Sequence, residues 1–268
     1  MERLVQEISG ICSRVEINVK AEILAKRVLF LSFEAQTQIP QELSWDLKLQ
    51  KLNEFFFDKK DFAIVADASF HDPVALQLLN RALASRVGAP RPLGLVYSSI
   101  AQKIGLNLEF VDLQPHCYLK YVDQGTSRFI DLSRRGKLMS SLELLETLQR
   151  RLQTPSISST ELLETVCHER FIIDYLVALK SAFKYRENLE PLLIIQNHIL
   201  DLQPTNLPLI GERALLFKQM GHDKNALSDL KRYFAFSDRK RAPQELVKLY
   251  DELCQSLQSR SSQFELLD

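Results

Sequence analysis

Residues 85–106 read SRVGAPRPLGLVYSSIAQKIGL, and the fold follows from how this stretch is punctuated. Proline is tolerated in the first turn of a helix, because the N–H it lacks has no intrahelical partner there. Gly88-Ala89-Pro90 therefore reads as a helix opening, LGLVYSSIAQKI as its body, and Gly105 as the left-handed residue that ends it. A body this apolar must be covered by its neighbours.

Those neighbours are legible on both sides. Downstream, Leu108–Leu113 (LEFVDL), His116–Val122 (HCYLKYV) and Arg128–Leu132 (RFIDL) alternate with period two. They predict antiparallel strands, the last two joined by a turn at Asp123-Gln124-Gly125. Ser140–Leu152 returns to helical spacing, with its two serines placed as caps. Upstream, Asp72 caps a helix with Pro73 in its first turn, running through VALQLLNRALASRV to Gly88. Residues 58–70 give no clear period. Ile17–Gln36 and Gln41–Phe57 space apolar residues three and four apart, as amphipathic helices do.

Composition shifts at Thr154–Thr160 (TPSISST), which reads as a linker. Beyond it the pattern is helical, with breaks at Gln203-Pro204, Gly221-His222 and Arg241–Pro243. ENLEPLLIIQNHILDLQP from Glu187 and HDKNALSDLKRYFAF from His222 align at an offset of roughly 35 residues, near the tetratricopeptide period. Gly221 followed by Ala226 and Leu227 fits that motif. The expected organisation is α+β: a domain with a small antiparallel sheet and preceding helices over 1–153, then an all-α repeat domain over 160–268.

Lys plus Arg and Asp plus Glu balance at 34 each, so no global field draws the chain to nucleic acid or to an anionic membrane. The start MERLVQEISG lacks the apolar core of a secretory signal, and a cytoplasmic protein is expected. Cys12, Cys117, Cys167 and Cys254 form no CxxC pair and read as reduced, buried thiols. The histidines share no metal-ligand spacing, so neither metal nor cofactor is expected. Phe55-Phe56-Phe57 and Tyr233-Phe234-Phe236 read as core, and the basic run Lys231-Arg232 with Arg239–Arg241 as a solvated face.

Gly88-Ala89-Pro90 at a helix start, His116 opening one strand and Asp131 on the next form a constellation. Cysteine hydrolases place the thiol at a helix N-terminus, where the macrodipole favours thiolate. They place a histidine base on one strand and a tautomer-fixing carboxylate on its neighbour. The segments SRVGAPRPLGLVYSSIAQKIGL, PHCYLKY and FIDLSRRGKL resemble the transglutaminase-like core of bacterial SirB-type proteins, which is followed by tetratricopeptide helices. By that resemblance His116 and Asp131 match the base and the carboxylate, and the nucleophile position falls on Pro90. The chain departs from the SirB-type pattern at Pro92, where serine is usual, and at Pro115, where glycine is common. The resemblance implies a degenerate site in a protein that binds a protein or peptide partner, with a regulatory link. The alternative is a cysteine-dependent amidase or peptidase using a displaced thiol, Cys117 or Cys12, with His116 as base. His116 and Asp131 also fit a plain hydrogen-bonded pair, or a small-molecule cleft.

Overall fold

The structure is a computed structural model that describes residues 1–66, 72–113, 116–123, 125–152, 164–184 and 186–264, with backbone alone at 112–113, 116, 123, 151–152 and 257–264. The linker stretch 154–160, His71, Pro115 and Gln124 lie outside them. The chain forms two compact units, Met1–Phe183 and Lys184–Asp268. The first therefore extends beyond the polar stretch and takes in one further helix.

The first unit opens with α1 (Glu2–Val15), α2 (Ala21–Gln38) and α3 (Trp45–Asn53). α1 carries a segment to which the sequence reading gave no element. The expected single helix 41–57 is instead α3 followed by a π-helical turn, Glu54–Lys59. The wider π turn explains how Phe55, Phe56 and Phe57 are all buried in succession. β1 (Ala63–Ile64) then pairs in parallel with β2 (Val87–Gly88).

Between them the expected Asp72-capped helix is two: α4 (Pro73–Gln77) and α5 (Leu79–Ser85), broken where Leu78 adopts an extended conformation. The Asp72 carboxylate accepts from Val74 N–H at 3.0 Å, as the sequence predicts. α6 (Pro90–Lys103) follows, and Gly105 ends it at φ +83°. Its residues Pro90–Ser98, with Ile100 and Ala101, are all buried.

β3 (Glu109–Leu113), β4 (His116–Asp123), β5 (Thr126–Asp131) and β6 (Lys137–Ser140) form one antiparallel sheet in chain order. The first three match the expected strands, and β6 was missed because its four residues are too few to show a period. Alternation splits the sheet into two faces. Phe110, Leu119, Ile130 and Leu138 are successive partners across one row, and Phe110 touches α6 at Gly94. Val111, Tyr118, Phe129 and Met139 occupy the other face, packed with Leu144 and Leu148 of α7 (Ser141–Leu152). Ser140 and Glu143 close a reciprocal capping box: Glu143 N–H donates to Ser140 Oγ at 3.2 Å, and Ser140 N–H to Glu143 Oε2 at 2.7 Å. α8 (His168–Phe183) completes the unit, packed on α4 and α1.

The second unit is helical: α9 (Glu190–Leu202), α10 (Leu207–Gln219), α11 (Asp223–Phe236) and α12 (Gln244–Phe264). Its breaks fall at the three places read from sequence. α10 and α11 pair most extensively, joined through Gly221 at φ +74°. Tyr233 is core as expected, whereas Phe236 is 76% exposed. No helix among the described residues is long and apolar enough to cross a membrane.

Candidate functional site

The site begins with the turn into α6. Gly88 sits where an added Cβ would lie 2.6 Å from Ala82 Cβ and 2.9 Å from Leu93 Cγ. Only glycine fits there, so β2 can meet α5 and α6 at close range. Gly88→Ala is expected to destabilise the unit by about 1–3 kcal/mol, the usual range for overpacking. Urea denaturation checks this, and an unchanged midpoint would refute the close approach.

Ala89 is extended and donates its N–H to Leu76 O at 2.9 Å, and Pro90 is the first helical residue. Pro90 and Arg91 line a cavity of about 330 Å³ with Gln77 of α4 and Ala178, Ser181 and Ala182 of α8. The walls are small and largely apolar. Proline carries neither a nucleophile nor an N–H, and Pro92 removes a second N–H from the same turn. The helix end thus keeps its dipole but loses two of the donors that would hold an oxyanion.

Asp131, the last residue of β5, is 2% exposed. Its Oδ1 accepts from Ser133 N–H at 3.0 Å and from Ser133 Oγ at 2.5 Å, capping a 3-10 turn, Leu132–Arg134. Its Oδ2 lies 3.7 Å from Arg134 Nε and has no hydrogen-bond partner among the described residues. The turn stands beside the catalytic-type helix: a Cβ built on Gly94, one turn in from Pro90, would be 3.4 Å from Leu132 Cδ1.

The backbone of His116 pairs with Leu113, and the ladder between β4 and β5 begins at Leu119 with Ile130. Carried one residue further, that register sets Tyr118 opposite Asp131 and leaves His116 one diagonal away, typically roughly 7–8 Å between backbones. The strands thus bring the two positions near each other without making them direct partners.

The displaced thiols sit in other surroundings. Cys12 is fully buried on α1, with Sγ 3.7 Å from the Tyr175 hydroxyl, which itself donates to Gln77 O at 2.8 Å. Burial pushes the Cys12 thiol up, away from thiolate. Cys117 is buried opposite Asp112, with Sγ 4.0 Å from the Tyr118 carbonyl. The expectation of four buried thiols is corrected for two of them: Cys167 is exposed and Cys254 half-buried. Their helix-end and surface positions carry no apolar pattern that would have distinguished them.

Arg91 was missed by the sequence reading. A charged residue between two prolines suggests a solvated turn, yet it is 6% exposed in the cavity wall. It shares that wall with α8, which is distant in sequence.

Comparisons with known proteins supply the family to which this fold belongs. The family described as "Transglutaminase-like superfamily" matches residues 20–175, a span that includes Pro90, His116 and Asp131. A UPF0162 protein of Xylella fastidiosa strain Temecula1 is 27% identical over 198 residues, covering 72% of this chain and 69% of that protein. A UPF0162 protein of Buchnera aphidicola subsp. Baizongia pistaciae is 25% identical over 184 residues, covering 69% of this chain and 68% of its own length. The family match runs from α2 into α8 and encloses the sheet, the buried helix and the turn between them, and on that extent this chain belongs to the transglutaminase-like superfamily.

Proposed function

We propose that this chain is a non-catalytic interaction or regulatory protein that keeps the transglutaminase-like scaffold and has lost its attacking group. The observation that carries this is Pro90 at the first position of α6, lining the cavity where a thiol would have to stand. His116 and Asp131 are then vestigial members of the site, and the Asp131 carboxylate serves to cap the turn after β5. As a SirB-type protein it would use its second unit as a tetratricopeptide-like surface for a protein or peptide. Gly221 between α10 and α11, and the fully buried Ala226, support that reading. The balanced charge supports neither direct nucleic-acid contact nor membrane binding.

Thiol reactivity separates this from a cysteine-dependent amidase or peptidase. In the native protein at neutral pH, Cys167 is expected to react with iodoacetamide at an ordinary rate. Cys12 and Cys117 should be protected at least a hundredfold until the chain unfolds, because both are buried. Peptide mapping of the labelled protein reads each site. Rapid labelling of Cys12 or Cys117, together with amide turnover lost on His116→Ala, would refute the proposal.

A further inference from the structure

A cavity larger than the one at Pro90 opens elsewhere in the first unit. About 800 Å³ lies between α1, α2 and the C-terminal half of α6, with Val5, Val28 and Leu29 among its apolar lining. That end of α6 is opposite to Pro90, so the groove is separate from the vestigial site.

α2 forms one wall and then continues outward as an apolar face. Ile23, Leu29, Phe30 and Phe33 are exposed, Phe30 at 71%. Their spacing of three, four and seven places them along one side of the helix. Large apolar groups grouped this way on a surface mark a contact site. Cations accompany them: Lys26 and Arg27 are exposed, and neither forms an ion pair among the described residues. Lys103, across the groove on α6, holds its Nζ 4.0 Å from the centre of the Phe33 ring. The acidic groups of the groove are Glu2 and Glu22.

We infer that this groove receives an amphipathic helix with acidic flanks from a partner protein, an inference that rests on the reading of the chain as a binding protein. A concave groove with an apolar lining accepts a ridge of side chains, which a flat bilayer does not offer. The exposed Lys26 and Arg27 beside the apolar stripe select carboxylates. A two-fold contact between copies centred on α2 would set these cations against each other, which like charges oppose.

The test uses the full chain carrying benzoylphenylalanine in place of Phe30, irradiated in the cells that produce the protein. The expected adduct joins residue 30 to another polypeptide, and the crosslinked peptide carries apolar residues at spacings of three and four with Asp or Glu between them. Charge reversal by Lys26→Glu with Arg27→Glu should lower the yield at least tenfold. Lys137→Glu, an exposed charge reversal on β6, should leave it unchanged. Both altered sites on α2 are exposed, so circular dichroism should show an unchanged fold, and Lys26→Gln with Arg27→Gln should give an intermediate yield. An adduct to a second copy, to phospholipid, to a peptide without that pattern, or none at all overturns the inference, as does a yield indifferent to charge reversal. Inert thiols and absent turnover alongside such a result would remove this groove while leaving the non-catalytic reading standing.

Discussion

Gly136→Ala should be among the most damaging single substitutions in the first unit, lowering its stability by about 2–5 kcal/mol. Gly136 has φ +75°, and a Cβ there would lie 2.0 Å from Asn53 Oδ1. Alanine in the left-handed region carries a penalty of roughly 1–2 kcal/mol by itself. The larger part comes from Asn53, which cannot stay where it is. Its Nδ2 donates to Gly136 O at 3.3 Å, and its Oδ1 accepts from the Tyr97 hydroxyl at 2.7 Å. Tyr97 is fully buried on α6, and burial raises its pKa so that it remains a neutral donor in need of an acceptor. Displacing Asn53 leaves that hydroxyl unpaired, a loss of about 1–3 kcal/mol. Urea denaturation followed through the single tryptophan, Trp45 on α3, reads this unit directly. Because both changes break the same contacts, adding Asn53→Ala to Gly136→Ala should increase the loss by well under the sum of the separate effects. Simple additivity would refute the account.

The second large effect is expected in the helical unit. Arg213 of α10 holds Asp229 of α11 through Nε and Nη2, both at 2.7 Å, and donates from Nη1 to Asn197 of α9 at 2.8 Å. Asp229 is 6% exposed. Arg213→Met would strand a buried carboxylate, and breaking such pairs typically destabilises by about 3–5 kcal/mol. The double change Arg213→Met with Asp229→Leu should recover most of the loss, since an apolar pair of similar volume leaves no unsatisfied charge. Thermal unfolding followed at 222 nm by circular dichroism, where helix absorbs, measures both. If the double variant is no better than Arg213→Met, the pair matters for its packing and not for its charge.

The first effect rests on residues 83 apart in sequence and the second on residues 16 apart on different helices, and in both cases the contact crosses between elements, which no local pattern shows. The start and end of α6 were legible because proline and glycine act on their own backbone dihedrals. β3, β4 and β5 were legible because alternation repeats within a single strand. The break at Leu78, the π turn at Glu54–Lys59 and the two-residue pairing of β1 with β2 were not. Each is imposed by what packs against it, and none is long enough to show a period. The same limit hid Arg91, which shares its cavity wall with α8, and the surroundings of Cys12, whose neighbour Tyr175 stands 163 residues away.

The sequence by itself determined that residue 90 is a proline framed by Gly88 and Gly105, and hence that no thiol stands at this helix start. That is a covalent fact, and no tertiary arrangement alters it. Only the tertiary structure decided what surrounds it: a small-walled cavity, an aspartate engaged in capping its own turn, a thiol on α1 buried against a tyrosine, and an apolar groove at the far end of the same helix. Local sequence fixes which groups a position carries and how its backbone turns. Burial and proximity, which set how those groups can act, arise only when distant segments exclude water from one another.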